Sequence, residues 1–293
     1  MAESAGFPAE LLEPLAACAE GRMPPNVALV HLFLQSADEG EARCALDYAA
    51  RVSAGGRKTE RLHHATQLWA GAPQAFSLVR RVMGVADGGG QLGKPWPEVF
   101  DEAAGLSPEA AVALYSLGNP LLLDQITAEL VERMAEWRLL EPETCVLDLG
   151  CGSGRIAKAI APKVGAVVAI DCSERMAQLA GAATGSFSNV LVLRSDGASL
   201  GFASDGSFDS VLAIDSFPYL VEAELAHAVV REIARVLRPG GQLLMMNYAY
   251  REHIAADRAE VASLAEANGF EVLRNGTADL SLWDGRAFLL RKT

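Results

Sequence analysis

Between Val146 and Arg155 the chain places Val146, Leu147 and Leu149 around a single carboxylate, Asp148, and follows them with glycines at 150, 152 and 154. Apolar residues interleaved with one acid predict a parallel strand covered on both faces, with Asp148 near the carboxyl end, where open α/β sheets bind ligands. The alternate glycines allow sharp turns and close approach of a ligand to the backbone. Ile156, Ala157, Ile160 and Ala161 then recur at helical spacing. The run therefore predicts strand, glycine loop and helix, with free N–H donors at the helix start facing whatever the loop holds.

A dinucleotide fingerprint of the G-x-G-x-x-G type would need its third glycine at position 155. Arginine stands there, which counts against a nicotinamide dehydrogenase. Asp148-Leu149-Gly150-Cys151-Gly152-Ser153-Gly154 instead resembles, without departure, the D-x-G-x-G-x-G signature of class I S-adenosylmethionine-dependent methyltransferases.

The rest of the chain sets the setting for that motif. It has 293 residues, of which 51% are apolar, enough for one large domain or two small ones. A net charge of −12 disfavours nucleic acid and anionic membranes as partners, since phosphate contacts need clustered Lys and Arg. Cysteines at 18, 44, 145, 151 and 172 form no C-x-x-C pair or regular spacing, so neither disulfides nor a metal site is indicated and a reducing cytoplasm is expected. Glu3, Glu10 and Glu13 precede the first basic residue, Arg22, unlike a secretory signal. No apolar stretch approaches the ~20 residues needed to span a bilayer.

Helical periodicity dominates residues 1–137, with stripes at Leu11–Leu15, Val27–Leu34, Ala42–Ala49, Arg57–Trp69 and Pro73–Val85. Gly88-Gly89-Gly90 with Pro95 and Pro97 predicts a break. The expected division is a helical cap over 1–90, linker and lid helices over 91–137, and an S-adenosylmethionine-binding domain over 138–293. From Thr144 the pattern alternates, predicting parallel βαβ units. Strands are expected at 144–149, 166–170, 190–194, 208–214 and 241–247, with closing strands at 270–276 and 286–291. Helices are expected at 154–161, 174–183, 222–237 and 253–268.

The resemblance covers about 107–293 and implies a Rossmann-like three-layer sandwich. Its sheet should be mostly parallel and seven-stranded with the last strand antiparallel, preceded here by an all-helical N-terminal subdomain. It implies S-adenosyl-L-methionine as methyl donor and S-adenosyl-L-homocysteine as product. Asp148 would lie near the amino-acid part of the cofactor, over the backbone of Gly150, Gly152 and Gly154. Asp171 would bind the ribose diol, Cys172 and Met176 would flank adenine, and Asp196-Gly197 would meet its amino group and a ring nitrogen. Asp215 ends the fourth strand, where cofactor and acceptor should meet.

For the acceptor, Ser216-Phe217-Pro218-Tyr219 loosely resembles the [D/N/S]-P-P-[Y/F/W] turn of amino-methyltransferases, with Phe217 in place of the first proline. Nitrogen and oxygen acceptors both stay open. Asn247, Tyr248 and Tyr250 are expected at the pocket rim, Tyr115 in the lid, and His253 or Tyr219 as the available bases. The reading is a cytoplasmic methyltransferase of a small molecule, with secondary metabolism one setting for it and the assembly state open, a homodimer included. The alternatives are a methyltransferase of a protein or RNA recognised by the N-terminal helices, and a non-catalytic binding module of the same fold.

Overall fold

From Cys145 onward short, β-branched or leucine-rich apolar runs form strands, most of them followed by a helix, while the strands at 190–194 and 270–278 lead directly into the next strand. The computed structural model describes residues 6–53, 55–90, 93–251 and 253–293, so Glu3 lies outside the described residues. Seven strands form one mixed sheet: β1 (Cys145–Leu149), β2 (Ala166–Asp171), β3 (Val190–Arg194), β4 (Phe208–Ile214), β5 (Leu237–Met246), β6 (Phe270–Ala278) and β7 (Arg286–Lys292), in the order β3-β2-β1-β4-β5-β7-β6. The first five pair in parallel, and β7 runs antiparallel to both β5 and β6. The order reverses at β1, which lies between β2 and β4, so the loops after β1 and β4 open at the switch point where such sheets bind ligands.

Before the sheet come α1 (Ala9–Glu20), α2 (Pro25–Gln35), α3 (Glu39–Val52), α4 (Arg57–Gly71), α5 (Ala75–Ala86), α6 (Trp96–Leu106), α7 (Pro108–Val112) and α8 (Pro120–Glu136). Within it run α9 (Arg155–Ile160), α10 (Glu174–Thr184), α11 (Phe217–Glu222), α12 (Ala226–Val236) and α13 (Ile254–Ala267). Internal contacts divide the chain into two compact units. One comprises Met1–Asp87, Ala103–Ile126 and Leu280–Asp284; the other comprises Gly88–Glu102, Thr127–Asp279 and Gly285–Thr293. Among the described residues, no helix is long and apolar enough to cross a membrane.

In the sheet-bearing unit, Val229, Val230, Ile233 and Val236 of α12 and Val261, Leu264 and Ala265 of α13 bury against Leu147, Val211, Leu243, Met245, Phe288 and Leu290. The spacing in α12 is the apolar stripe of an amphipathic helix, and full burial of each such side chain contributes about 1.5–3 kcal/mol. The edge strand β3 is only half-covered, with Leu191 53% exposed.

Three local differences from the sequence reading have identifiable causes. The helix expected over 222–237 starts only at Ala226, as α12, after Ala223–Leu225, where Glu224 takes the left-handed conformation at φ 60°, and the short α11 before it was not expected. Arg238-Pro239-Gly240-Gly241 does end a helix, yet β5 already begins at Leu237. The turn residues are absorbed as an irregularity, with Gly240 at φ 79° and the register shifting between Phe208 and Ser210. The expected break lies between α5 and α6, but it is already over at Trp96, where α6 starts unforeseen, because proline in a first helical turn lacks only an N–H that would have no partner there.

The helical unit is tied together by one buried amide. Asn26, 1% exposed, donates from Nδ2 to the carbonyls of Tyr115 and Leu282, both at 2.9 Å, joining three segments distant in sequence. Asn26→Ala leaves both buried carbonyls without this donor and should destabilise the chain by about 2–4 kcal/mol. A clear drop in thermal midpoint is expected; an unchanged midpoint would contradict the assignment.

Candidate functional site

The loop after β1 is held by main-chain bonds that only its glycines permit. The N–H groups of Gly150 and Cys151 both donate to the Ile170 carbonyl at the end of β2, at 2.9 Å each. The Gly152 N–H donates to Asp171 Oδ2 at 2.8 Å, and the Ser173 N–H to Asp171 Oδ1 at 2.9 Å. Gly150 lies at φ 76° with Ser216 packed where its Cβ would be; Gly154 lies at φ 80°, and a Cβ there would come within 2.8 Å of the Ala180 backbone. Any side chain at either position would clash as well as strain the backbone.

This winding encloses Asp148. The residue is 1% exposed, and neither carboxylate oxygen has a hydrogen-bond partner among the described residues. Burial pushes its pKa up to about 7, which the nearby Arg155 guanidinium opposes and the Asp171 carboxylate reinforces. The Ala157 N–H lowers it slightly without making a bond of normal geometry. Arg155, the residue that broke the dinucleotide pattern, opens α9 and donates to Thr127 Oγ1 at 3.1 Å.

Asp171 is 7% exposed, and burial raises its pKa against the downward pull of the Ser173 and Gly152 amides. Asp101 adds a further negative charge nearby: its Oδ1 accepts from Ser173 Oγ and from the Arg175 N–H at 3.0 Å, capping α10 from another helix. Met176 is 1% exposed on α10, and burial pushes the half-buried Cys172 thiol up to about 12, so it is a neutral thiol. After β3, the exposed Asp196 accepts from the Ala198 N–H at 3.0 Å, and Gly197 takes φ 70° with its would-be Cβ 2.9 Å from Leu149 Cδ1.

A second group forms where β4 and β5 end. Asp215 and Asn247 are both left-handed, at φ 61° and 59°, and Asn247 Nδ2 donates to Asp215 Oδ1 at 2.8 Å. The Tyr250 hydroxyl donates to the same oxygen at 2.8 Å. Asn247 Oδ1 also accepts from the Arg286 N–H at 2.9 Å, fixing the pair to the start of β7. Ser216 Oγ donates to the Leu149 carbonyl at 2.6 Å, joining this group to the β1 loop. Tyr219, on α11, packs edge-on against Trp96, Phe100 and Tyr250, with ring centroids at 4.6, 5.0 and 5.9 Å. Burial raises the Tyr219 hydroxyl above its usual value, making it a donor and not a base at neutral pH.

The structure thus brings Asp148, Gly150, Gly152, Gly154 and Asp171 together, and gathers Asp215, Tyr219 and Asn247 beside Ser216. Other expected residues lie elsewhere. Tyr248, expected at the rim, is a core residue: fully buried, packed against Phe217 and Phe288, with its hydroxyl donating to Glu260 at 2.6 Å. Tyr250, expected at the rim with it, is 61% exposed and bonded to Asp215. His253 is exposed at the N-cap of α13. Tyr115 belongs to the helical unit, where it stacks on Trp283 at 4.8 Å. Asp101, Trp96 and Phe100 were missed with α6; the aromatic pair at i and i+4 was the available signal.

Residues 146–241 match the family described as a methyltransferase domain. The chain is similar to the 2-methyl-6-phytyl-1,4-hydroquinone methyltransferase of Synechocystis, 30% identical over 132 residues that cover 44% of this chain and 40% of that protein. It is 35% identical to methyltransferase GfsG of Streptomyces halstedii over 141 residues, 45% and 49% of the two. With the 2-phytyl-1,4-naphtoquinone methyltransferase of Synechococcus elongatus it shares 30% identity over 155 residues, 48% and 65%. The chain therefore spans about 40–65% of the length of these curated relatives. Among solved structures it is similar to magnesium protoporphyrin IX methyltransferase from Synechocystis with S-adenosylmethionine bound, at 22% identity and TM-score 0.47, covering 59% of this chain and 81% of that one.

The environment of Asp148 makes a prediction independent of any ligand. Its native pKa of about 7 lies above the ~3.9 of an unfolded aspartate, so between those values the native state holds the extra proton and stability falls as pH rises. The stability difference between wild type and Asp148→Asn should therefore shrink or reverse by a few kcal/mol from about pH 4 to pH 7. Denaturant titrations of both proteins across that range measure it, and a pH-independent difference would contradict the burial of Asp148.

Proposed function

We propose that the class I, S-adenosylmethionine-dependent methyltransferase domain at residues 146–241 makes the whole chain an enzyme that methylates a small molecule. The observation that carries this reading is Asp148, a carboxylate buried without a hydrogen-bond partner among the described residues near the end of β1, directly before a glycine loop. A buried, unpaired carboxylate is costly unless a ligand compensates it, and a ligand ammonium does so. Bound S-adenosylmethionine supplies a methyl group made electrophilic by its sulfonium.

The residues present fit that ligand, whose ammonium and sulfonium both carry positive charge. Asp148 would take the ammonium, over the backbone of Gly150, Gly152 and Gly154. Asp171 would take the ribose diol: a carboxylate has about four acceptor sites, and two loop amides leave capacity for hydroxyl donors. Cys172 and Met176 would flank the adenine, with Asp196 and Gly197 at its polar edge. Asp101 adds negative charge in the same region, which favours a cationic ligand.

For the acceptor, this chain's own contribution is placement and exclusion of water, which account for much of the rate in an in-line methyl transfer. Tyr219, protonated at neutral pH, would orient the acceptor through its ring and hydroxyl. Asp215, Asn247 and Ser216 form the polar floor beside it. A small-molecule acceptor is supported by the acidic balance of −12 and by the hydroquinone and naphthoquinone named in two relatives. Tyr115 of the helical unit is proposed as a lid residue.

Calorimetric titration with S-adenosylmethionine should show micromolar-range binding, and Asp171→Ala should weaken it by about tenfold or more, the loss of charge-assisted hydrogen bonds to the ribose. Affinity should fall toward tenfold per pH unit below about pH 7 as Asp148 takes up its proton, and Asp148→Asn should flatten that dependence. Absence of binding in the wild type would remove the proposal.

A further inference from the structure

We propose that Asp215, with the rings of Tyr219, Tyr250, Trp96 and Phe100, forms a subsite for a positively charged group on the methyl acceptor, so that the acceptor is an ammonium-bearing small molecule. The inference rests on the methyltransferase reading and narrows its substrate class.

The first observation is backbone geometry. Asp215 and Asn247, at the ends of the adjacent strands β4 and β5, both adopt the left-handed conformation that non-glycine residues rarely take. Such conformations persist where the surroundings over-determine them, and they concentrate at ligand sites. Here the Asn247 amide and the Arg286 and Met246 main chains hold both residues in place, aiming the Asp215 carboxylate at Tyr250.

The second observation is what the carboxylate accepts. Oδ1 receives both Asn247 Nδ2 and the Tyr250 hydroxyl at 2.8 Å. Both donors fix the orientation of the carboxylate beside the Tyr250 ring. A carboxylate held in this way suits an anchoring role: it would bind a cationic group of the acceptor, and the atom that accepts the methyl group must carry a free lone pair of its own.

The third observation is the aromatic surround. Tyr219 meets Trp96, Phe100 and Tyr250 at interplanar angles of 64°, 88° and 81°, so the rings make an angular wall and not a flat stack. None of the four is fully buried, and Tyr250 is 61% exposed. Aromatic faces within about 6 Å attract ammonium groups through their quadrupole, more strongly where water is partly excluded. A fixed carboxylate beside four partly open rings selects a cation over a neutral molecule of the same shape.

The test compares choline with 3,3-dimethylbutan-1-ol, its neutral isostere, by calorimetric titration of the full chain without cofactor. Choline should bind at least about tenfold more tightly than the alcohol, and the preference should be lost in Asp215→Asn and reduced several-fold in Tyr219→Leu. Equal binding of the two probes, failure of choline to bind, or a preference that survives Asp215→Asn would overturn the proposal. Should either variant fail to fold, the wild-type comparison decides alone. Cofactor binding without choline preference would remove this inference and leave the methyltransferase reading standing; choline preference without cofactor binding would remove that reading and, with it, the assignment of the cation subsite to a methyl acceptor.

Discussion

Two N–H groups, from Gly150 and Cys151, converge on the single carbonyl of Ile170, and the next donor, from Gly152, reaches the Asp171 carboxylate. Those bonds stitch the loop after β1 to the end of β2 and fix everything downstream. They force left-handed turns at Gly150, Gly152 and Gly154, bring α9 into place, and close the loop over Asp148 without giving its carboxylate a partner. The cost of that burial is carried by the rest of the sheet, whose Val, Leu and Phe side chains pack α12 and α13 against one face. An acid left in such a place is a poor structural element and a good ligand contact.

Charge and strain collect at the same end of the sheet. Asp148, Asp171 and Asp101 surround the first loop, and Asp215 ends β4 beside it, linked through Ser216 to the Leu149 carbonyl. The left-handed pair Asp215 and Asn247 adds about one to a few kcal/mol of stored backbone strain, less for Asp and Asn than for most residues. In an open α/β sheet the carboxyl ends of the strands flanking the topological switch point form the ligand crevice. That geometry explains why the buried Asp148 and the left-handed Asp215 and Asn247 lie together at this end.

Much of this was legible in the sequence, because strand and glycine-loop signals are local. The runs at 145–149, 166–171, 190–194 and 208–214 could be read from side-chain type, with Asp148 near the end of the first and Asp171 at the end of the second. What escaped depended on context. Position just after the fifth strand put Asn247, Tyr248 and Tyr250 all at the rim, but beyond the left-handed turn at Asn247 the chain buries Tyr248 in the core while Tyr250 reaches Asp215. Pro95 and Pro97 suggested a break, and their tolerance in a first helical turn hid α6 with Trp96, Phe100 and Asp101. The partner of Asp101, the start of α10, lies 72 residues away and leaves no trace in local pattern.

The central claim is that the β1 loop and its buried acid form the binding place for the amino-acid end of S-adenosylmethionine. A crystal structure of the chain grown with S-adenosylhomocysteine tests it most directly. The account predicts the homocysteine ammonium within hydrogen-bonding distance of Asp148, about 2.7–3.0 Å, with the ribose hydroxyls on Asp171. A ligand bound away from the Gly150–Gly154 loop, or an Asp148 still without a partner in the complex, would contradict it.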